Sequence, residues 1–112
     1  MTELLKNLRA VRAQIATQDR WTKGTFSRDQ RGNYTKPISR TATCWCLLGA
    51  IEAVEPVSAK NTWEITGALH NQLENLGDGF CLAIFNDDPA TTHADIIALI
   101  DRAIASEERE NA

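Results

Sequence analysis

The sequence predicts an α-dominated α+β domain, with about four helices packed round a buried central helix and one short β-hairpin. Three patterns indicate this fold. Apolar residues recur at helical spacing near both ends of the chain, residues 42–54 are apolar almost all round, and a turn motif separates two short stretches near residue 30. The chain has 112 residues, which suits one core. We expect one globular domain over 1–106 and a polar C-terminal tail over 107–112.

The first helix is predicted from about Thr2 to Thr17, with Thr2 as its N-cap. Its apolar face consists of Leu4, Leu5, Leu8, Val11 and Ile15. A β-hairpin is predicted next, with residues 23–28 and 33–36 as strands. Asp29 opens and Gly32 closes the four-residue turn between them, and Pro37 ends the second strand because it cannot donate to a ladder.

The buried central helix is predicted over residues 42–54, because a helix that is apolar on every face lies inside the fold. Gly49 lowers helix stability there by about 1 kcal/mol against alanine, which predicts that another backbone approaches it closely. A third helix is predicted over 58–76, before Gly77. The apolar run 81–85 fits a short strand or a helical turn, and we favour the helical turn.

The last helix is marked by Thr92-x-x-Asp95, a capping-box variant that satisfies free N–H groups of a first turn. Its apolar face follows as Ile96, Ile97, Ile100, Ala103 and Ile104. His93 falls in the first turn. Asn86, Asp87 and Pro89 suit a rigid turn that directs this helix, although side-chain acceptors beside a helix start also suit a ligand contact.

Charge is divided unevenly along the chain. Residues 1–60 hold ten Lys/Arg and five Asp/Glu, whereas residues 61–112 hold two and ten, so the halves carry +5 and −8 and sum to −3. Between residues 20 and 40 the basic residues are Arg20, Lys23, Arg28, Arg31, Lys36 and Arg40. Such a segment attracts phosphate, nucleic acid or an acidic protein face. The same basic segment also fits a solvent-exposed loop whose positive charge complements the negative charge of residues 61–112.

No apolar run approaches the roughly 20 residues of a bilayer span, and the N-terminus resembles an amphipathic helix more than a signal peptide. Three cysteines argue against a disulfide framework. These observations predict a cytoplasmic protein that does not contact a membrane.

Aromatic side chains alternate with the cations of the predicted hairpin, which is the combination that stacks on bases and holds phosphates. The predicted ligand-binding residues are Trp21, Lys23, Arg28, Arg31, Tyr34, Asn86, Asp87 and His93. We expect a host protein or a nucleotide-like anionic ligand as the partner. The overall negative charge disfavours extended nonspecific DNA binding.

Two alternatives stay open. A thiol hydrolase or transferase would use Cys46 as nucleophile, His93 as base and Asp87 as the residue that orients it. Against this, an apolar surrounding raises the pKa of a thiol. A small zinc module would draw on Cys44, Cys46, Cys81, His70 and His93, but Cys-x-Cys lacks the usual spacing. We therefore assign no catalytic residue, metal ligand or cofactor.

Four sequence blocks carry a resemblance to a known family. They are Trp21-Thr22-Lys23-Gly24, Arg28-Asp29-x-x-Gly32, Trp45-Cys46-Leu47-Leu48-Gly49-Ala50 and Asn86-Asp87-x-Pro89-x-x-x-His93-x-Asp95-Ile96. The chain resembles, over most of residues 20–105, an uncharacterised family of small actinobacterial and bacteriophage proteins. Phe85 stands where that family often has tryptophan. The resemblance implies a phage-type accessory protein, with a role in host takeover or counter-defence.

Overall fold

The computed structural model describes residues 2–54, 59–73 and 81–110. Its elements in chain order are α1 (Glu3–Gln14), a 3₁₀ turn (Gln18–Arg20), β1 (Ser27–Asp29), β2 (Ala42–Trp45), α2 (Leu47–Ala53), α3 (Ala59–Asn71), α4 (Leu82–Asp87) and α5 (His93–Glu110). The predicted class is confirmed, because these residues form a helix-dominated fold with one two-stranded antiparallel sheet.

The core lies where α1, α2, α3 and α5 meet. Helix α2 contacts α1, α3 and α4, so the short apolar helix is central as predicted. The side chains that α1, α2, α3 and α5 bury almost completely are Leu8, Val11, Leu47, Ile51, Ile65, Leu69, Ile96, Leu99 and Ile100. Burying apolar side chains of this size is the main favourable contribution to folding.

The capping motifs predicted for the first and last helices are both confirmed. The Leu5 N–H donates to Oγ1 of Thr2 at 3.1 Å, as an N-cap requires. At α5 the Thr92 N–H donates to Asp95 Oδ2 at 2.9 Å, and the Asp95 N–H donates to Thr92 Oγ1 at 3.2 Å. This reciprocal pair is a capping box.

The predicted turn is observed, because the Gly32 N–H donates to the Asp29 carbonyl at 2.9 Å, but the predicted second strand, 33–36, is reduced to one isolated antiparallel bridge between Arg28 and Tyr34. The strand that pairs with β1 is β2, in a register that sets Ser27 opposite Trp45 and Arg28 opposite Cys44. The reason is burial, since Trp45 lies in the core whereas the 33–36 stretch is mostly exposed. A long connection therefore joins the strands, and we call its residues 30–41 the basic loop.

The predicted start of the central helix at residue 42 is also wrong. Residues 42–45 are strand, and Cys46 has an extended backbone (φ −77°, ψ 175°) as the N-cap of α2. The third helix is observed as Ala59–Asn71, and residues 58 and 74–76 of its predicted range lie outside the described residues. The run 81–85 belongs mostly to α4, which confirms the predicted helical turn.

The polar C-terminal stretch is helical as far as Glu110. Its last turns are attached to α1, because Arg9 pairs with Glu108 at 2.8 Å and Thr2 Oγ1 donates to Glu107 Oε1 at 3.2 Å. Arg12 pairs with Asp101 at 2.6 Å further along the same contact. None of the described helices is long and apolar enough to cross a membrane.

The close approach predicted at Gly49 gives a matched test of two helical glycines. A Cβ at Gly49 would lie 1.9 Å from the backbone oxygen of Phe26, whereas a Cβ at Gly67 in α3 meets no atom within 4 Å. We expect Gly49→Ala to lower the free energy of unfolding by about 3 kcal/mol, because backbone has to move. We expect Gly67→Ala to raise it by about 1 kcal/mol through helix propensity. Urea unfolding measures both, and a Gly49→Ala midpoint at or above the original would contradict this packing.

Candidate functional site

The side chain of Asn86 connects three separate segments of the chain. Its Oδ1 accepts hydrogen bonds from Trp21 Nε1 at 2.7 Å and from the Leu47 N–H at 3.0 Å. Its Nδ2 donates to the Thr22 carbonyl at 3.1 Å and to Asp87 Oδ1 at 3.0 Å. The residue is 1% exposed, and a buried amide with both ends bonded fixes geometry strongly. We call these five residues the Asn86 cluster.

The segment 22–26 is held against the Asn86 cluster by further bonds. The Gly24 N–H donates to Asp87 Oδ1 at 2.9 Å, and Lys23 Nζ donates to the Asp88 carbonyl at 2.7 Å. The Cys46 N–H donates to the Phe26 carbonyl at 3.1 Å, which brings the segment over Gly49. Lys23 and Asp87, both predicted ligand-binding residues, therefore make intramolecular bonds here.

His93 lies on another side of Trp21. Its Nε2 is 2.7 Å from the Ile15 carbonyl, and the His93 and Trp21 ring centroids are 6.0 Å apart. A carbonyl oxygen only accepts, so Nε2 carries the hydrogen of this bond. The structure thus joins His93 to the end of α1 and to Trp21.

Cys46 lines a small pocket of about 180 Å³ together with Phe26, Leu48 and Ala83, beside Asn86. Burial raises the pKa of the Cys46 thiol above its ordinary value of 9.0, and the nearby Asp87 carboxylate raises it further. Hydrogen bonds from the first N–H groups of α2, including Gly49 N at 3.2 Å, oppose this effect but are outweighed. The thiol is therefore protonated at neutral pH, and the base predicted for it, His93, is bonded to Ile15 instead.

The zinc alternative needs several metal ligands close together. Within residues 2–54, 59–73 and 81–110, no group of three or more His, Cys, Asp or Glu side chains is placed to hold a metal ion. The three cysteines are free thiols, with Cys44 half-buried, Cys46 buried and Cys81 exposed.

Arg28 is bound within the protein rather than presented to solvent. Its Nε donates to Thr22 Oγ1 at 3.0 Å, and its other nitrogens donate to the carbonyls of Lys23 at 3.0 Å and Gly32 at 3.2 Å. The guanidinium carbon also lies 5.0 Å from the centroid of the Tyr34 ring. Arg28 therefore anchors the basic loop to the segment 22–23.

The basic loop carries three further cations. Arg31, Lys36 and Arg40 are exposed, and Tyr34 is 72% exposed. Residues 30–41 contain no acidic residue. Across the described residues, these three cations form no ion pair, whereas Asp101 and Glu108 of α5 pair with Arg12 and Arg9 of α1. No described acidic side chain therefore pairs with the loop cations.

The predicted site residues consequently divide into two groups. The structure brings Trp21, Lys23, Arg28, Asn86, Asp87 and His93 together in one internal network, while Arg31 and Tyr34 project from the basic loop. Sequence reasoning missed Thr22 and Leu47, which bind Asn86 through backbone atoms. Backbone partners leave no trace in residue identity, so no sequence signal marked them.

A comparison with protein-family models identifies the chain's relatives. The model described as "Family of unknown function (DUF6197)" matches residues 1–106. The chain belongs to this family. The resemblance drawn from the sequence blocks is therefore confirmed at the level of a family without known function. Neither the curated proteins nor the solved structures compared with this DUF6197 chain contain a match.

The Asn86 cluster predicts a large stability effect in this DUF6197 chain. Asn86→Ala removes four hydrogen bonds and leaves the Leu47 N–H and the Trp21 indole N–H without their acceptor. We expect a loss of about 3 kcal/mol or more in the free energy of unfolding, measured by urea titration. Asn33→Ala, in an exposed turn, is the matched control and should change it by about 0.5 kcal/mol or less. Equal effects of the two substitutions would contradict the role of the cluster.

The raised pKa of the Cys46 thiol predicts a pH dependence of stability. Above about pH 9 the thiol ionises first in the unfolded chain, so the free energy of unfolding falls as pH rises towards the folded-state pKa. Cys46→Ser retains a side-chain acceptor for the Gly49 N–H and should remove this component of the slope. The measurement is urea unfolding between about pH 8 and pH 10.5. A slope that the substitution leaves unchanged would contradict the assignment.

The reactivity of the cysteine thiols tests independently whether Cys46 is buried and protonated in the native protein. With a mild disulfide reagent at neutral pH, Cys81 should react first and Cys46 should react only as the protein unfolds. A Cys46 that reacts faster than Cys81 in the native protein would instead support the thiol-enzyme alternative.

Proposed function

We propose that the protein is a non-catalytic binding protein, which holds a short segment of single-stranded nucleic acid on its basic loop. The observation that carries the proposal is that Arg31, Lys36 and Arg40 are exposed and form no ion pair within the described residues, on the same loop as the exposed ring of Tyr34. Cations beside an accessible aromatic ring bind phosphates while a base stacks on the ring.

The shape of the loop supports a macromolecular partner over a free nucleotide. Tyr34 is 72% and Ile38 is 71% exposed, so neither side chain lies inside a cleft. Small-molecule sites are concave and bury most of the ligand surface. A segment of a longer strand can instead lie across a projecting loop and make further contacts on either side.

The charges of the loop and of the whole protein favour a contact with only a few phosphates. Three unpaired cations can neutralise about three phosphates, whereas the net charge of −3 repels a longer strand. In the setting that the phage resemblance implies, the partner would be a nucleic acid of the bacterial host cytoplasm, and the binding would serve host takeover or counter-defence.

The test is the salt dependence of oligonucleotide binding. For a fluorescein-labelled oligothymidylate of about eight nucleotides, fluorescence anisotropy should give a slope of log K against log salt near −2, from about three phosphates at about 0.7 each. Arg31→Gln/Lys36→Gln/Arg40→Gln should reduce the slope to nearly zero. Tyr34→Ala should weaken binding about tenfold at an unchanged slope, because it removes stacking and no charge.

A charge-matched control separates the loop from overall electrostatics. Lys6→Gln/Lys60→Gln/Arg102→Gln alters three exposed cations elsewhere on the surface and gives the same net charge. This variant should keep most of the affinity and the slope. If both triple variants lose affinity equally, or if the original protein does not bind the oligonucleotide, the proposal is wrong.

A further inference from the structure

A groove of about 510 Å³ is lined by none of the residues of the Asn86 cluster. It runs between α3 and the C-terminal half of α5, and Leu4 of α1 also lines it. Four of its lining residues are small, namely Gly67, Ala68, Ala103 and Ser106. Small side chains let the backbone of a second element come close to both helices.

No contact within the described residues explains why a glycine stands at position 67. It lies within α3, where glycine lowers helix stability, and a Cβ added there would meet no atom within 4 Å. Gly49 is the contrasting case, since its missing Cβ makes room for the Phe26 backbone. The space at Gly67 is open to solvent along the groove, which suits the close approach of another molecule.

Trp63 lies on the same helix, one turn before Gly67. It lines the groove and is 78% exposed. An exposed tryptophan beside a concave surface is the kind of side chain that contributes most to protein interfaces. It also offers an aromatic face to cations.

The groove is acidic. Glu64, Glu107 and Glu110 line it together with His70, and none of its described lining residues is lysine or arginine. Lys60 pairs with Glu64 at 3.8 Å, so that carboxylate is shared with a cation of the same helix. Glu107 and Glu110 also lie in the last turns of α5, where the helix dipole is already negative and carboxylates oppose helix stability. Their placement therefore strengthens a negative potential at a cost to the helix itself.

We infer that this groove binds a basic amphipathic α-helix of another protein. The apolar side of such a helix would cross Gly67 and Ala68 and contact Trp63, while its lysines or arginines would face the three glutamates. A second copy of the chain fits less well, because a two-fold contact through this groove would place the same glutamates opposite one another. The inference is independent of the basic loop.

The experiment uses the full chain and a defined probe. The probe is a fluorescein-labelled amphipathic peptide of about 18 residues, with leucine and alanine on one face and lysine on the other. Its matched comparison has glutamate in place of every lysine. Anisotropy should show saturable binding of the lysine peptide and none of the glutamate peptide at the same concentrations.

Groove variants should weaken this binding without unfolding the protein. We expect Trp63→Ala and Gly67→Leu each to weaken it about tenfold. Glu107→Gln/Glu110→Gln should weaken it several-fold, while Glu3→Gln/Glu52→Gln, which removes two exposed carboxylates elsewhere, should leave it within about twofold. Gly67→Ala is the most discriminating change, because it should weaken binding while raising the unfolding midpoint.

Several results would overturn the inference. They are failure of the lysine peptide to bind, equal binding of the glutamate peptide, or equal affinity in the groove and control variants. Sedimentation equilibrium of the protein alone tests the second-copy alternative. A dimer that Gly67→Leu dissociates would show that the groove is an interface between copies instead.

Discussion

One buried amide, the side chain of Asn86, determines how the segments of this protein meet. Removing an amide from water is unfavourable unless each polar atom is bonded, and here both ends are. The bonds fix the start of α2 at Leu47 and hold the Trp21 indole beside it. The segment after Trp21 must then pass directly over Gly49, where no side chain would fit. The arrangement thus fixes the segment 21–26, which leads into β1, against the start of α2.

This constraint separates the rigid part of the molecule from the part that is available to a partner. Lys23 and Arg28 carry charges suited to phosphate, but they donate to backbone carbonyls and to the Thr22 hydroxyl of the same framework. The loop cations Arg31, Lys36 and Arg40 lie outside this framework. The strongest case for binding therefore rests on Arg31 and its neighbours in the basic loop, and the hydrogen-bonded geometry around Asn86 serves to hold that loop in place.

Local features of the fold could be predicted from the sequence, and long-range features could not. The capping box at Thr92, the helical turn at 82–85 and the close approach at Gly49 depend on neighbouring residues or on a local departure from helix propensity. The strand at 42–45 could not be distinguished from the following helix in the sequence, because its apolar residues continue into α2 without a break in composition. Its partner is set by burial of Trp45, which a residue pattern does not encode. The same holds for Asn86, whose partners other than the adjacent Asp87 lie 39 to 65 residues away.

The most direct test of this account is a chemical-shift map by ¹H–¹⁵N NMR, recorded while an oligothymidylate is added at low salt. We expect the amides of the basic loop to shift, with the largest changes near Arg31, Tyr34 and Lys36. The Leu47 amide and the Trp21 indole N–H, held by Asn86, should keep their positions. Shifts centred on the Asn86 cluster or on the Cys46 pocket, with the loop unaffected, would contradict it.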